Sequence, residues 1–238
     1  MNYGKREVTI LIPTRFDSRY MLELCLESVK KYTADYPYKI IVGDAGVDDQ
    51  TRKFLESRTD IKLVKPEDQA LPKDSMIRFV NTPYFLFLHD DTQILKNGWL
   101  EKRVALMEKH PRNAIVGAVV ANFVYGWKIR FLWKKTMRRF WPLALLVRTD
   151  VQRELGLRWG VTGKYDTGGM AYQQFTSQAK YRFVPCKFHK EVRHFGGMTW
   201  PVKKKVQRED VEFDIDNVVE MRNRKLNLIK ETLLSKNY

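Results

Sequence analysis

The sequence predicts an α/β fold, a single, mostly parallel sheet flanked by helices. Three observations carry this expectation. Apolar runs of strand length alternate with segments of helical periodicity over the first hundred residues. The run Tyr84-Phe-Leu-Phe-Leu88 is uniformly apolar, so both of its faces need cover, as in a parallel sheet wrapped by helices. Polar residues suited to chemistry follow the carboxyl ends of several runs, which is where open α/β sheets gather their ligands.

Taken in order, Val8 to Ile12 form a first strand that stops at Pro13. From Tyr20 to Tyr32 the apolar positions Met21, Leu22, Leu24, Cys25, Val29 and Tyr32 recur at helical spacing, with Ser18 placed as a cap. Lys39-Ile-Ile-Val-Gly43 is a second strand, ended by Asp44-Ala-Gly46, and Asp48-Asp49-Gln-Thr opens a helix through Leu55. Ile61 to Val64 form a third strand, Pro72 to Val80 a helix, and Tyr84 to Leu88 the fourth strand. Ala114 to Val120 and Leu143 to Val147 continue the sheet, the latter entering a helix at Thr149-Asp150. Asp210 to Leu234 has the length and charge pattern of a terminal helix, with Val218, Val219, Leu226, Ile229 and Leu233 as its apolar stripe.

A chain of 238 residues, 44% hydrophobic and 30% charged, can build one sizeable core. Cys25 and Cys186 are far apart and lack C-x-x-C spacing, which argues against a disulfide framework or structural zinc and fits a reducing cytoplasm. The apolar stretch near the start spans five residues, too few for a signal peptide, and no run of 18 apolar residues predicts a spanning helix. Lys and Arg total 43 against 28 Asp and Glu, a formal charge of +15. Such a field draws phosphate-rich ligands, nucleic acid and anionic lipid alike.

The chemistry-bearing residues discriminate better than the charge. Thr14 and Arg15 follow the first strand, Asp44 the second, and His89-Asp90-Asp91 the fourth. Two carboxylates beside an imidazole at the mouth of a buried strand are costly to desolvate unless a divalent cation or another partner compensates them. An acidic loop capping the next helix is the simpler alternative.

The ordered stretches VTILIPTR, KIIVGDAGVDDQT and YFLFLHDDT, and more loosely LALLVRTDVQRELG at 144–156, resemble the family 2 glycosyltransferases. That resemblance implies the glycosyltransferase A fold, built on one Rossmann-like sheet. It implies a catalytic domain over residues 1–205, with a nucleotide-binding half at 1–110 and an acceptor half at 111–205, and a helical extension over 206–238. By resemblance Pro13, Thr14 and Arg15 line the nucleotide pocket, Asp44 binds the base, Asp90 faces the donor sugar or ribose, and Asp91 holds Mn²⁺ or Mg²⁺. Lys73 is near a basic position of the family pattern, where it would touch the diphosphate, although a solvated helix lysine is the plainer alternative. Two positions in the nucleotide-binding half depart from the pattern: His89 stands where the family motif begins with Asp, and Ala45 where the loop after the second strand has a second Asp.

In the second half, Asp166 in Tyr165-Asp-Thr-Gly-Gly169 resembles the family's catalytic acid residue, the base for the acceptor hydroxyl in an inverting transfer, although this chain lacks the Glu-Asp pair that the family usually shows there. A turn-forming Asp is the alternative there. His194, in the glycine-flanked Arg193-His-Phe-Gly-Gly197, resembles the late metal-binding histidine of several such enzymes. The segment 127–141 reads as a basic amphipathic helix rich in Trp, suited to a membrane interface and a lipid-linked or glycan acceptor, or to packing as a solvated surface helix. The expected function is metal-dependent transfer of a sugar from a nucleotide-diphosphate donor in glycan biosynthesis. A basic nucleic-acid-binding protein and a nucleotidyltransferase are the alternatives. Acidic residues at successive strand ends disfavour the nucleic-acid reading.

Overall fold

A computed structural model describes residues 6–16, 18–68, 71–124, 135–161, 165, 167–187, 190–196 and 215–235. Among these, nine strands and seven helices follow one another: β1 (Val8–Phe16), α1 (Arg19–Tyr32), β2 (Tyr38–Val47), α2 (Asp49–Glu56), β3 (Lys62–Val64), α3 (Pro72–Ile77), β4 (Tyr84–Phe87), β5 (Thr92–Ile94), α4 (Trp99–Glu108), β6 (Asn113–Val124), β7 (Lys135–Arg148), α5 (Thr149–Leu155), α6 (Gly169–Thr176), β8 (Arg182–Pro185), β9 (Val192–His194) and α7 (Ile215–Leu234). Seven strands form the central sheet in the order β3-β2-β1-β4-β7-β6-β8, and β5 pairs with β9 in a separate ribbon. Every strand of the central sheet except β7 runs the same way, because β7 is antiparallel to both β4 and β6. The expected mostly parallel α/β architecture is therefore present.

The core follows the two-residue period of the strands. Val8, Ile10 and Ile12 of β1, Ile40 and Val42 of β2, and Tyr84 and Leu86 of β4 face one apolar cluster, covered by α1, α2 and α4. Leu11, Ile41, Phe85 and Phe87 face a second cluster with Met76 of α3, Val151 of α5 and Phe175 of α6. The continuous apolar run of β4 thus feeds both layers. Gly43 permits one of these contacts, since a Cβ there would meet the Met76 sulfur at 2.4 Å.

Several boundaries differ from expectation for identifiable reasons. β1 continues through Pro13 to Phe16. Leu11 O accepts from Leu88 N, so residues of that parity turn their peptides toward β4, and β4 pairing has ended by Pro13. A proline lacking N–H is tolerated at such a position. β2 likewise runs past Asp44 to Val47. Ser18 precedes α1 without capping it through its side chain, whereas Asp48 caps α2 by accepting from Thr51 N at 2.8 Å. The α3 helix is shorter than expected, ending at Ile77.

The largest correction concerns the segment 127–141. Residues 127–134 lie outside the described residues, but 135–141 are the start of β7 and not part of an amphipathic helix. They pair antiparallel with β6 from Lys135↔Val124 to Trp141↔Ala118, and the strand then continues into the apolar run that pairs with β4. Cross-strand pairing overrides the local helical pattern. The terminal helix is described from Ile215, with Leu226, Ile229 and Leu233 packed on Tyr20, Met21 and Leu24 of α1 and on Phe195; residues 210–214 lie outside the described residues. No helix among the described residues is long and apolar enough to cross a membrane.

Candidate functional site

The site grows from the carboxyl edge of the parallel strands. The end of β1 carries Pro13, Thr14 and Arg15 before Phe16, and in parallel register Pro13 lies beside Gly43 and Thr14 beside Asp44 of β2. Past the end of β4, the His89-Asp90-Asp91 turn leads into β5 and not into a helix. The helix-capping alternative therefore fails: α4 begins only at Trp99, with Gly98 at its cap position and no side-chain cap.

Asp90 and Asp91 are each only 8% exposed, so each needs compensation. Thr14 Oγ1 donates to Asp90 Oδ2 at 2.8 Å and sits 2.6 Å from Ser18 Oγ. Burial, then repulsion from Asp91, raises Asp90 well above the ordinary carboxylate range, against the hydrogen bond from Thr14 and the charge of Lys73. Asp91 goes the other way. Burial would raise it, but the hydrogen bond and charge of His194 prevail and hold it low. Of the two adjacent carboxylates, Asp90 is therefore the one that favours holding a proton, and Asp91 the one that favours its charge.

His194 reaches Asp91 because β9 lies antiparallel on β5, with Thr92 opposite His194 and Phe195 N donating to Asp91 O at 2.9 Å. His194 Nε2 is 3.1 Å from Asp91 Oδ1. It is also 3.4 Å from His89 Nδ1, which lies 3.9 Å from the same Asp91 oxygen. Among the described residues, these three side chains form the one group with metal-ligand spacing, one donor atom from each lying within 4.8 Å of the others. Burial, then the charge of Lys73, lowers the His89 imidazole below its ordinary value, which keeps its ring nitrogen available as a neutral donor. The oxygen and nitrogen donors present fit a divalent cation.

Lys73 lies close enough for its charge to act on both Asp90 and His89. Arg15 is drawn to the same place: burial lowers its guanidinium, and Asp68 and Asp90 oppose that fall. Asp44 stands at the same edge but is engaged locally, its Oδ1 accepting from Gly46 N and Val47 N at 3.0 Å each and its Oδ2 lying 3.3 Å from Arg52 Nε. Asp166 lies outside the described residues.

The sequence model of the family described as Glycosyl transferase family 2 matches residues 9–171. The chain belongs to this family. The matched span includes β1 from Thr9 onward, β2 and the His89–Asp91 turn, but stops before His194. Among solved structures, this glycosyltransferase is similar to S. aureus TarS 1-349, at 15% identity and a TM-score of 0.55, over 92% of this chain and 71% of that one. The same protein in complex with UDP-GlcNAc matches at 14% identity and 0.56, over 93% and 72%. The mannosyltransferase PcManGT from Pyrobaculum calidifontis, in complex with GDP-Man and Mn²⁺, matches at 13% identity and 0.56, over 98% and 75%. These likenesses show the glycosyltransferase A fold. No curated protein sequence matches the chain.

Two features of the glycosyltransferase escaped the sequence reading. Arg139 of β7 donates to Thr167 O at 3.1 Å, and its charge also reaches His89, so it links the strand, the turn around residue 167 and the histidine pair. The alternation of Arg139, Phe140 and Trp141 before an apolar strand was its available signal, masked by the basic run. Asp74 of α3 accepts from Trp159 N at 2.8 Å and Gly160 N at 3.0 Å, joining the two halves of the fold beside Lys73. Its partners are backbone groups distant in sequence, for which no residue pattern exists. Gly168 is fixed by the same junction: it has φ +79, and a Cβ there would lie 2.3 Å from Phe140 O.

Proposed function

We propose that this glycosyltransferase moves a sugar from a nucleotide-diphosphate donor to a hydroxyl of a glycan or lipid-linked acceptor, with a divalent cation and inversion at the anomeric carbon. The observation that carries this reading is the junction of Asp91 with His194 at 3.1 Å beside the Thr14–Asp90 pair. Acid, imidazole and strand-end hydroxyl meet where α/β sheets bind nucleotides.

In this reading Pro13, Thr14, Arg15 and Asp44 line the nucleotide pocket at the ends of β1 and β2. Asp91 and His194 hold the cation, which when bound neutralises the diphosphate of the leaving nucleotide. Lys73 adds positive charge on the phosphate side, and Asp90, held by Thr14, faces the ribose or donor sugar. Asp166 takes the proton of the acceptor hydroxyl as its oxygen attacks the anomeric carbon from the face opposite the nucleotide. Residues 1–205 form the catalytic unit, with 206–238 as an extension whose helix α7 braces α1.

Two similar structures support the donor class, since TarS 1-349 holds UDP-GlcNAc and PcManGT holds GDP-Man with Mn²⁺. The test is a thermal-shift panel of UDP- and GDP-sugars with Mn²⁺, with Mg²⁺ and with chelator. A ligand at 100 times its dissociation constant stabilises the fold by about 2.7 kcal/mol, so a matching donor raises the melting temperature only with metal present. Mass analysis of the acceptor then separates sugar transfer from nucleotide transfer, and full activity in chelator would remove the metal-dependent reading.

A further inference from the structure

The proposed reading leaves His89 without a role, although it stands at the head of the acidic turn. We infer that His89 is itself a metal ligand, so that the centre is two imidazoles and one carboxylate and selects a first-row transition ion, Co²⁺ or Zn²⁺ first and Mn²⁺ after them, over Mg²⁺. This deepens the metal-dependent reading of the same site and rests on it.

The geometry is that of a centre built to take an ion. An ion about 2.1 Å from each donor holds neighbouring donors about 3.0 Å apart at right angles and about 3.4 Å apart at tetrahedral angles. The observed separations are 3.1 Å for His194 Nε2 to Asp91 Oδ1, 3.4 Å between the two ring nitrogens, and 3.9 Å for His89 Nδ1 to Asp91 Oδ1. Two of the three edges already match, and the third is longer than the tetrahedral edge. The same His89 nitrogen faces both other donors.

The backbone behind these side chains is fixed. His89 O accepts from Thr92 Oγ1 at 2.5 Å and from Cys25 Sγ at 3.5 Å. His194 is held opposite Thr92 in the ribbon, and its ring packs edge-on to Trp141, with centroids 5.8 Å apart. Support of this kind orients metal ligands before the ion arrives.

The donor types decide the preference. Mg²⁺ binds oxygen, sheds water reluctantly and is poorly served by two imidazoles, whereas imidazole suits the later first-row ions, whose affinities rise from Mn²⁺ through Co²⁺. An Asp at position 89 would make the site richer in oxygen. The histidine moves it toward nitrogen.

The experiment measures metal binding to the whole chain with no nucleotide sugar present, by calorimetry and by the visible absorption of bound Co²⁺. Co²⁺ is expected to bind at least about tenfold more tightly than Mg²⁺. His89→Ala should weaken Co²⁺ by at least about 100-fold, since removing a ligand costs no less than removing a partner that only orients one, and alter its spectrum. His89→Asp, which restores an oxygen donor and controls for loss of folding, should narrow the Co²⁺-to-Mg²⁺ ratio. Equal affinity for Mg²⁺ and Co²⁺, or an unchanged Co²⁺ spectrum in His89→Ala, overturns the assignment. Co²⁺ binding that needs His89, in a protein whose melting temperature no nucleotide sugar raises, keeps this centre and removes the proposed donor reading instead.

Discussion

The two edges of the central sheet carry charge in opposite ways. At the amino edge of the parallel strands lies a cavity of about 740 Å³, lined by Arg6, Tyr84, Glu108, Arg148, Asp150 and Arg153 among others. Its charges are mostly matched: Arg148 bridges to Asp150 and Arg6 lies 3.5 Å from Glu108, while Arg153 donates to the neutral Val80 O. At the carboxyl edge the acids are buried beside one another, and two imidazoles converge on one of them. The hollow at the amino edge is thus the electrostatically settled one. What marks a site is the cost its residues bear in the free protein, since a bound ligand is what repays it.

The largest effect expected from this contrast is at Asp91. Asp91→Ala removes the carboxylate that both histidines approach and should lower sugar transfer by at least about 100-fold, the scale on which a lost charge-stabilising group acts. The folded state should survive, because the substitution also relieves repulsion on Asp90. Transfer rates together with the melting curve of the free protein check both halves. Near-normal transfer with intact folding would move the chemistry away from this edge.

A second effect lies behind the site. Arg103 is fully buried, with its guanidinium on Ala144 O at 3.0 Å and on Glu191 Oε2 at 3.0 Å, and Glu191 directly precedes β9. Ala144 has φ 51, a left-handed conformation that few non-glycine residues adopt, and Arg103 clasps its carbonyl. Arg103→Met leaves Glu191 with Lys102 alone and should cost about 3 kcal/mol of stability by denaturant titration. The pH dependence has a definite sign. Burial would raise Glu191, but Lys102 and Arg103 outweigh it and lower its folded value. Its contribution is therefore complete above the ordinary glutamate range and is lost as pH falls through the lowered folded value. Glu191→Gln should be less stable at neutral pH and show a shallower loss in acid; an unchanged acid limb would show that other groups dominate it.

The same contrast explains what the sequence disclosed. Strands β1, β2 and β4 were legible because each is a compact apolar run with its polar residues just beyond it, and Asp91 with His194 stood out by residue type. Strands β5 and β9 were not. Each is three residues long, and neither has a pattern apart from the pairing that sets Thr92 opposite His194. β7 was misread before Leu143 because Lys, Arg and Trp on a strand that pairs beyond the end of β4 imitate a basic helix. Asp74 serves the site through backbone groups distant in sequence, contacts that leave no residue spacing to detect, and the strand alternation around Arg139 was hidden by the same basic run.

The smallest expected effect returns to the amino edge. Asp150→Ala breaks the pair with Arg148, whose guanidinium retains Pro111 O as a partner. Because the Asp150 side chain is 63% exposed, water replaces most of what is lost, and exposed pairs of this kind contribute about 0 to 1 kcal/mol. Melting temperature should fall by a few degrees at most, and transfer should be unchanged. A nucleotide sugar that binds Asp150→Ala more weakly than the parent protein would contradict the division between the edges, because it would place donor recognition in the cavity whose charges are mostly paired.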